Sequence, residues 1–469
     1  MKSGIKKQYH LPIAYFLAVS VVVIYWIAQV FRSPVADGFD GYYYVMQVNH
    51  LFREGAMHSS DFSLIYLPLI LLGLVFPPLL SYKITVVLIG VLFTLSGYRF
   101  VRKSGSRAMA LMAVFYILLS PSVLFFTLQF PKNLLGILVL LNFLSCLKGR
   151  KSRRAVLWFI LLAFSHRLAF CMGLACLLFS LAVGRKILKY IIPSLFLLLI
   201  VLLIPGLLNI FDFQRIIFND LDLFGYWGPV EFYQLWDLWR QPSWIFDFLF
   251  IHLILILSLL HFVKRKFRIP ELYYLILLLV VPLWAYSSGS LSYRLSLNGF
   301  LLLPLIYFSF SDTGAEKKAM IPLLSISFLF AFFPRYDHSK FNPPIETYRD
   351  ISSAINEELH GREVDLVIAH KGIKEQIILN TDLEASNWAP EEYTDSTYRV
   401  FTGISDYLLL QYLDSRELSA IISLPRGYYL VSETLFQKLI ERIGVNEGPD
   451  VLRRINTWQN PLRQKPDYL

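Results

Sequence analysis

Long apolar segments separated by short basic clusters are the feature that most constrains the fold of this chain. Hydrophobic residues make up 56% of its 469 residues and charged residues only 17%, a balance that is unusual for a soluble globular protein. A helix needs about 20 apolar residues to cross a bilayer, and short loops rich in Lys and Arg stay on the cytoplasmic side. The pattern therefore predicts a polytopic α-helical membrane protein with about eleven transmembrane helices.

The first apolar segment, Leu11–Phe31, sets the orientation of the rest. Lys2, Lys6 and Lys7 precede it, so the N-terminus is predicted to be cytoplasmic and the following loop to lie outside. The segment has no small-residue cleavage site, so we expect it to remain as an anchor. We expect a multi-pass protein of the plasma (inner) membrane. Further basic clusters predicted to be cytoplasmic are residues 99–107, 148–154, 184–189, 264–268 and, more weakly, 316–318.

The apolar segment Phe62–Pro77 is an exception to a simple alternation of loops and spans. If it crossed the bilayer together with Leu79–Phe100, the basic residues 99–107 would lie outside. We therefore predict that Phe62–Pro77 is re-entrant or lies in the outer leaflet, because prolines break it, and that Leu79–Phe100 crosses. Residues 120–132 are expected at the outer surface. The other predicted spans are residues 108–121, 132–147, 155–165, 168–183, 190–210, 244–263, 270–286, 295–310 and 319–333.

The hydrophilic C-terminal region differs in composition from everything before it. We predict a membrane domain at residues 1–334, with a catalytic first outer loop at 32–78, and a small extracytoplasmic α/β domain at 335–469. The C-terminal region carries no phosphate-binding glycine loop, nucleophile elbow or metal-spaced set of His and Cys. Its pattern predicts helices at 348–359 and 431–443 and strands at 364–369, 399–404 and 420–424.

The net charge of +10 does not indicate nucleic-acid binding. The basic excess lies before residue 335, in predicted cytoplasmic loops, whereas acidic residues outnumber basic ones after it. No Asp or Glu occurs between Asp61 and Asp212, so the helices in this range offer no buried carboxylate for a proton-coupled transporter. An outward-facing carboxylate base must therefore come from the first loop, from residues 211–243 or from the C-terminal region.

The first outer loop contains the run Val35-Ala-Asp-Gly-Phe-Asp-Gly-Tyr-Tyr-Tyr44, in which two aspartates precede three tyrosines. Asp37 and Asp40 are candidates for catalysis or substrate binding, although Asp-Gly pairs also favour turns. The tyrosines suit either an interfacial aromatic belt or a stacking surface for substrate, with Tyr44 as the candidate contact.

Several cationic side chains are predicted on the outer side, where the positive-inside bias disfavours them. Arg makes forked hydrogen bonds to phosphate oxygens and Lys provides a point charge, so these side chains could bind a lipid phosphate. Structural interpretations are snorkelling for Lys132, helix capping for His166 and Arg167, and an interfacial anchor for Arg294. Sugar transfer from a lipid phosphate needs a carboxylate that deprotonates the incoming hydroxyl. It also needs cations that stabilise the departing phosphate. The candidate phosphate contacts are Lys83, Lys132, His166, Arg167 and Arg294.

The segment from Asp40-Gly-Tyr-Tyr-Tyr44 to Leu51-Phe-Arg-Glu-Gly55 resembles the acidic first-loop motif of the GT-C superfamily. These polyprenyl-phosphate-dependent glycosyltransferases include protein O-mannosyltransferases and the lipid A aminoarabinose transferase. The resemblance implies that Asp40 is the general base, with Asp37 as the second candidate. The chain departs from the family pattern at Gly41, where a second acid usually stands, and at Leu67-Pro68, so Lys83 or Arg294 would replace the usual donor-phosphate contact.

The resulting hypothesis is transfer of a sugar from a polyprenyl-phosphate donor to a hydroxyl of a glycan, lipid or protein acceptor on the extracytoplasmic side. We expect membrane lipid as a further partner, no nucleic acid, no cofactor and no metal ligands, while a divalent cation stays open. The alternative is a lipid-linked glycan flippase or polymerase, and a polymerase would depend on Arg215, Arg240 and Arg294 more than on Asp40. A third interpretation is a membrane scaffold that displays the C-terminal domain.

Overall fold

The computed structural model of the chain describes residues 4–38, 40–59, 61, 63–103, 105–148, 152–182, 254, 289–310, 344–386, 394–402 and 412–447. The predicted spans 190–210, 270–286 and 319–333 lie outside these residues, as does the predicted loop 211–243 with Arg215 and Arg240. The predicted span 244–263 also lies outside them, except for residue 254. The chain forms two compact units. The first unit comprises Met1–Pro34 and Ser59–Asp337, and the second unit comprises Val35–His58 and His338–Leu469.

The described helices, in chain order, are α1 (Gly4–Val30), α2 (Gly41–Glu54), α3 (Tyr66–Gly73), α4 (Pro78–Arg102), α5 (Arg107–Leu119), α6 (Pro121–Gln129), α7 (Pro131–Lys148), α8 (Ser152–Ser165), α9 (Arg167–Ala182), α10 (Gly289–Phe310), α11 (Ile345–Glu358), α12 (Lys371–Asn380), α13 (Ser415–Ser419) and α14 (Glu433–Glu447). The described strands are β1 (Leu366–Ile368), β2 (Ala385–Ser386), β3 (Thr397–Thr402), β4 (Ile422–Leu424) and β5 (Tyr428–Ser432).

Helix α4 lies at the centre of the described helices of the first unit, with α1, α3, α5, α7 and α10 packed against it. Trp26 of α1 is fully buried because Gly90 of α4 leaves room for it, since a Cβ at Gly90 would lie 2.6 Å from the indole ring. The indole Nε1 donates a hydrogen bond of 3.1 Å to the hydroxyl of Thr94. The polar atom of this apolar contact is therefore satisfied.

Among the described helices, α4 is long and apolar enough to cross a membrane. Helices α5 and α6 pass the same test only as a pair, which is bent by 61° at its break, as a broken span or a re-entrant loop would be. Helix α4 coincides with the predicted span 79–100, and α7, α8 and α9 coincide with the predicted spans 132–147, 155–165 and 168–183. The crossing of a bilayer by these helices stays a prediction. Large apolar side chains are nevertheless exposed along the first unit, among them Val21, Leu67, Leu71, Leu74 and Val75.

Two segments of the first unit differ from a simple pattern of loops and spans. Helix α3 covers only 8 residues of the apolar segment 62–77, or about 12 Å of helix, which is less than the thickness of a bilayer core. Helix α6 lies where the sequence predicts an outer-surface segment, and its residues Pro121–Gln129 are all buried. Ser120 caps α6 by accepting a hydrogen bond of 3.2 Å from the Val123 amide, and Pro121 suits the first turn.

The described part of the second unit contains a mixed five-stranded sheet in the order β2-β1-β3-β5-β4. Strand β1 pairs in parallel with β2 and β3, whereas β5 pairs antiparallel with β3 and β4. A parallel pair needs a crossover connection, and α12 provides it between β1 and β2. The predicted strands 364–369, 399–404 and 420–424 overlap β1, β3 and β4, while the predicted helix 431–443 begins two residues early, because β5 runs to Ser432.

The helix of the first loop, α2, belongs to the second unit, whereas the sequence analysis assigned this loop to the membrane domain. The physical reason is its packing along α12. Asp40, directly before α2, pairs with Lys371 at the start of α12, and Arg53 near the end of α2 pairs with Asp382 just after α12. The two helices therefore run in parallel, and the C-terminal region provides the surroundings of Asp40.

Candidate functional site

The loop that leads into α2 places Asp37 and Asp40 in different surroundings. Gly38 has a φ of +88°, in the left-handed region that glycine adopts without strain. A Cβ at Gly41 would lie 3.0 Å from the carbonyl carbon of Ala36, so this close approach also favours glycine. The turn buries Asp37, which is 3% exposed, but leaves 35% of the Asp40 side chain exposed.

Asp40 occupies the N-cap position of α2, yet its side chain makes no capping hydrogen bond to the first turn. Aspartate is favoured at this position because its carboxylate usually accepts such a bond. Here Oδ1 instead accepts a hydrogen bond from Nζ of Lys371, within an ion pair. The carboxylate is thus paired with a cation and is still accessible from solvent.

Lys371, the first residue of α12, lies between several charged and aromatic groups. Its Nζ is 5.3 Å from the centre of the Tyr43 ring and 4.0 Å from Oε1 of Glu375, which follows one helical turn later. Burial alone would lower the pKa of Lys371, but Asp40 and then Glu375 outweigh this effect and raise it. The ammonium group therefore stays protonated beside the two carboxyl groups.

Glu375 is the buried carboxyl group of the site. Its side chain is 3% exposed, and Oε1 has no hydrogen-bond partner among the described residues. Burial raises the pKa of Glu375 to about 8, with Lys371 acting to lower it and Asp40 to raise it. A carboxyl group with this pKa is mostly protonated at neutral pH, and its buried surroundings differ from those of the partly exposed Asp40.

Aromatic rings cover the first turn of α12. The ring centres of Tyr348 and His370 are 4.7 Å apart, and a Cβ at Gly372 would approach the Tyr348 ring to 2.3 Å. Nδ1 of His370 accepts a hydrogen bond of 3.1 Å from the Gly372 amide and thereby caps α12, so Nε2 carries the proton. Burial lowers the pKa of His370 to about 4 and raises the pKa of Tyr348, so both groups are neutral at physiological pH.

A small polar recess lies farther along α2 and α12, and is lined in part by His50, Arg53, Asp382 and Glu384. Arg53 and Asp382 form an ion pair of 2.7 Å, but the Asp382 side chain is 96% exposed, so the pair contributes little to stability.

The rings of His50 and His58 are 5.4 Å apart. The pKa of His58 is lowered, mainly by burial and then by electrostatic interaction with Lys374 and His50. Within the described ranges no group of three or more His, Cys, Asp or Glu is arranged to hold a metal ion.

The candidate residue Lys132 lies in the first unit and pairs with Asp61. Its Nζ is 2.5 Å from Oδ1 of Asp61, and the Tyr66 hydroxyl donates a hydrogen bond of 2.9 Å to Oδ2. The charge of Lys132 is therefore engaged at the start of α7. His166 is near the same part of α7, because a Cβ at Gly136, one turn after Lys132, would lie 2.6 Å from the His166 Cβ.

The other candidate site residues are Tyr44, Arg167 and Arg294. Tyr44 is 3% exposed, and its ring stands edge-to-face with that of Tyr43 at 5.7 Å, so it faces protein rather than solvent. Arg167 begins α9 and Arg294 lies in α10, but the side chains of both lie outside the described part of the chain.

Lys83 has a clear structural role. It is 5% exposed in α4, and its ammonium group donates hydrogen bonds to the carbonyls of Ser33 and Val30, the latter at 3.4 Å. Val30 is the last residue of α1, where helix geometry leaves carbonyls without backbone partners, and Ser33 lies three residues beyond it. Lys83 therefore joins the end of α1 to α4.

Replacing Lys83 by methionine should lower the free energy of unfolding by about 2 kcal/mol, because two buried carbonyls lose a charged donor. The measurement is the midpoint of thermal unfolding of the full-length protein, with Lys83→Arg as the variant that keeps a donor. A phosphate contact would behave differently: Lys83→Met would then raise the KM for a lipid-phosphate donor and leave the midpoint unchanged, which would contradict the structural role.

Lys371 and Glu375 are the residues of the site that sequence reasoning missed. The helix that carries them was not predicted, and Lys371 is 331 positions from Asp40 in the chain. The one local signal is the spacing of Lys371 and Glu375, four residues apart on a helix that also buries Ile373, Ile377 and Ile378.

The site therefore combines an accessible carboxylate, a lysine bonded to it and a buried, protonated carboxyl group beside the lysine. A comparison with models of known protein families gives no match, and neither does a search of curated proteins, so the assignment of a function rests on this geometry and chemistry.

Proposed function

We propose that this protein is an integral-membrane glycosyltransferase that transfers a sugar from a polyprenyl-phosphate donor to an acceptor hydroxyl on the extracytoplasmic side. In this proposal Asp40 is the general base. The observation that carries it is the state of the Asp40 carboxylate, which is 35% exposed, is not used to cap α2 and is bonded to Lys371.

The proposed chemistry requires one proton transfer and one displacement. The acceptor hydroxyl gives its proton to Asp40 while its oxygen attacks the anomeric carbon of the sugar, and the bond from that carbon to the phosphate oxygen breaks. The polyprenyl phosphate leaves with the bonding electron pair, so the configuration at the anomeric carbon inverts. A positioned carboxylate base contributes about 10²–10⁴-fold to such a step.

The membrane location belongs to the same proposal, and exposed apolar side chains support it. Leu74 and Val75 after α3 are 69% and 75% exposed, and Val21 of α1 is 62% exposed. Exposure of several large apolar side chains is unfavourable in water and favours contact with lipid or with another protein. We propose a multi-pass protein of the inner membrane, with Lys132, His166, Arg167 and Arg294 as candidates for the donor phosphate.

The test is turnover of a defined donor by the full-length protein in proteoliposomes. Short-chain polyprenyl phosphates that carry radiolabelled hexoses serve as donors, and a membrane extract from cells that produce the protein serves as acceptor. We expect release of polyprenyl phosphate together with transfer of label to the acceptor. Movement of intact donor between leaflets without cleavage would identify a flippase and contradict the proposal.

A further inference from the structure

One ammonium group lies between two carboxyl groups in the second unit. Lys371 Nζ is bonded to Oδ1 of Asp40 and lies 4.0 Å from Oε1 of Glu375. The two carboxyl groups are carried by different parts of the chain, Asp40 before α2 and Glu375 on α12. If both carboxyl groups were ionised, the lysine would neutralise only one of the two charges.

The second negative charge would be costly because Glu375 is almost completely buried, at 3% exposure. A buried carboxylate is stable only when a partner compensates its charge and its oxygens receive hydrogen bonds. Oε1 of Glu375 receives none in the described part of the structure. The proton that neutralises Glu375 therefore removes an otherwise uncompensated charge.

We propose that Asp40, Lys371 and Glu375 form one proton-sharing site in which Lys371 serves both carboxyl groups and at most one of them is ionised at a time. Lys371 and Glu375 are positioning residues, because they act on the reaction through Asp40. The catalytic consequence rests on the proposed glycosyltransferase function, whereas the sharing of the proton does not.

The proton balance of a turnover follows from this arrangement. At rest Asp40 is ionised, Lys371 is protonated and Glu375 is neutral. When Asp40 takes the hydroxyl proton, the three groups together gain one positive charge. Loss of one proton to water, from either carboxyl group, restores the resting charge and again places one carboxylate beside the protonated Lys371.

Among the described residues, four titratable groups interact electrostatically with Glu375. Lys371 and, less strongly, Lys374 favour its ionised form, whereas Asp40 disfavours it. The Tyr348 hydroxyl also lies within the influence of Glu375 and is neutral because burial raises the pKa of Tyr348. Removing the charge of Asp40 should therefore lower the pKa of Glu375, and removing the charge of Lys371 should raise it.

The experiment is a pH titration of the full-length protein in proteoliposomes, without donor, followed by infrared spectroscopy of the protonated carboxyl stretch. The band of Glu375 is identified by its loss in Glu375→Gln. We expect it at neutral pH, with a midpoint near the pKa of about 8. In Asp40→Asn, which keeps the size of the side chain, the midpoint should fall by about one pH unit or more, and in Lys371→Met it should rise.

Asp382→Asn is the matched control, because Asp382 follows α12 and its side chain is 96% exposed, so the midpoint should not move. A midpoint that is the same in Asp40→Asn and in the wild type would overturn the proton-sharing site, as would a Glu375 that is ionised at pH 6. Neither result depends on sugar transfer. A shifted midpoint in a protein that turns over no donor would support the shared proton and contradict the proposed function.

A second readout tests the same proton through stability. The pKa of Glu375 is raised from 4.5 to about 8, so the folded protein holds a proton that the unfolded chain has lost between these values. The free energy of unfolding should therefore fall as the pH rises from 4.5 to about 8. This fall should be smaller in Glu375→Gln, and an equal fall in both proteins would contradict the inference.

Discussion

Replacement of Asp40 by asparagine should reduce the rate constant of sugar transfer by about 100-fold or more. Asparagine has the size of aspartate, and its side-chain oxygen can still accept a hydrogen bond from Lys371, but it does not take a proton from a hydroxyl. The loss should therefore lie in kcat rather than in the KM for the lipid donor. Single-turnover release of polyprenyl phosphate from a radiolabelled donor measures this rate constant directly.

Two matched variants separate a catalytic role for Asp40 from a structural one. Asp382→Asn removes another carboxylate that pairs along α2 and α12, but its side chain is 96% exposed, so the rate should remain close to that of the wild type. Asp37→Asn tests the second candidate, whose side chain is buried. If Asp37→Asn lost turnover while Asp40→Asn kept it, the base would be Asp37. Near wild-type turnover in both would exclude a base in this loop.

The turn conformation of the Asp40 loop could be predicted from the sequence, but the residues that contact Asp40 could not. The sequence shows two aspartates, each followed by a glycine, which favours a turn. In the structure Gly38 has a positive φ, and Gly41 closely approaches Ala36. The lysine that bonds to Asp40 is 331 residues away. Hydropathy indicates which face of a helix is buried, but not which polar residue of a distant helix meets it.

Whether a segment forms a helix or a strand was easier to predict than which segments pack together in one unit. Alternating apolar residues indicated β1, β3 and β4, because a strand half-buried in a sheet has a period of two. Helix α12 was not predicted because three consecutive polar or charged residues, Lys374 to Gln376, interrupt its apolar pattern, although all three are buried in the structure. The grouping of α2 with the C-terminal region depends on packing between segments remote in sequence, which single-sequence patterns do not record.

The largest effect on stability is expected from replacing Arg399 by methionine. Nε and Nη2 of Arg399, on β3, donate to the two carboxylate oxygens of Glu433 at 2.5 and 2.7 Å, and the guanidinium lies 4.6 Å from the centre of the Phe436 ring. Glu433 begins α14 and its side chain is completely buried. Removal of one partner from such a pair leaves an uncompensated buried charge, which costs about 3–5 kcal/mol.

Hydrogen exchange of the full-length protein, read for the amides of β3, β5 and α14, measures this loss as a lower free energy of opening. The control is Arg442→Met, which breaks the exposed pair with Glu417 and should leave exchange almost unchanged. In Arg399→Met combined with Glu433→Leu the buried charge is also absent, so most of the lost protection should return. If the double variant exchanged as fast as Arg399→Met, the destabilisation would come from lost packing on Phe436 and not from the orphaned carboxylate.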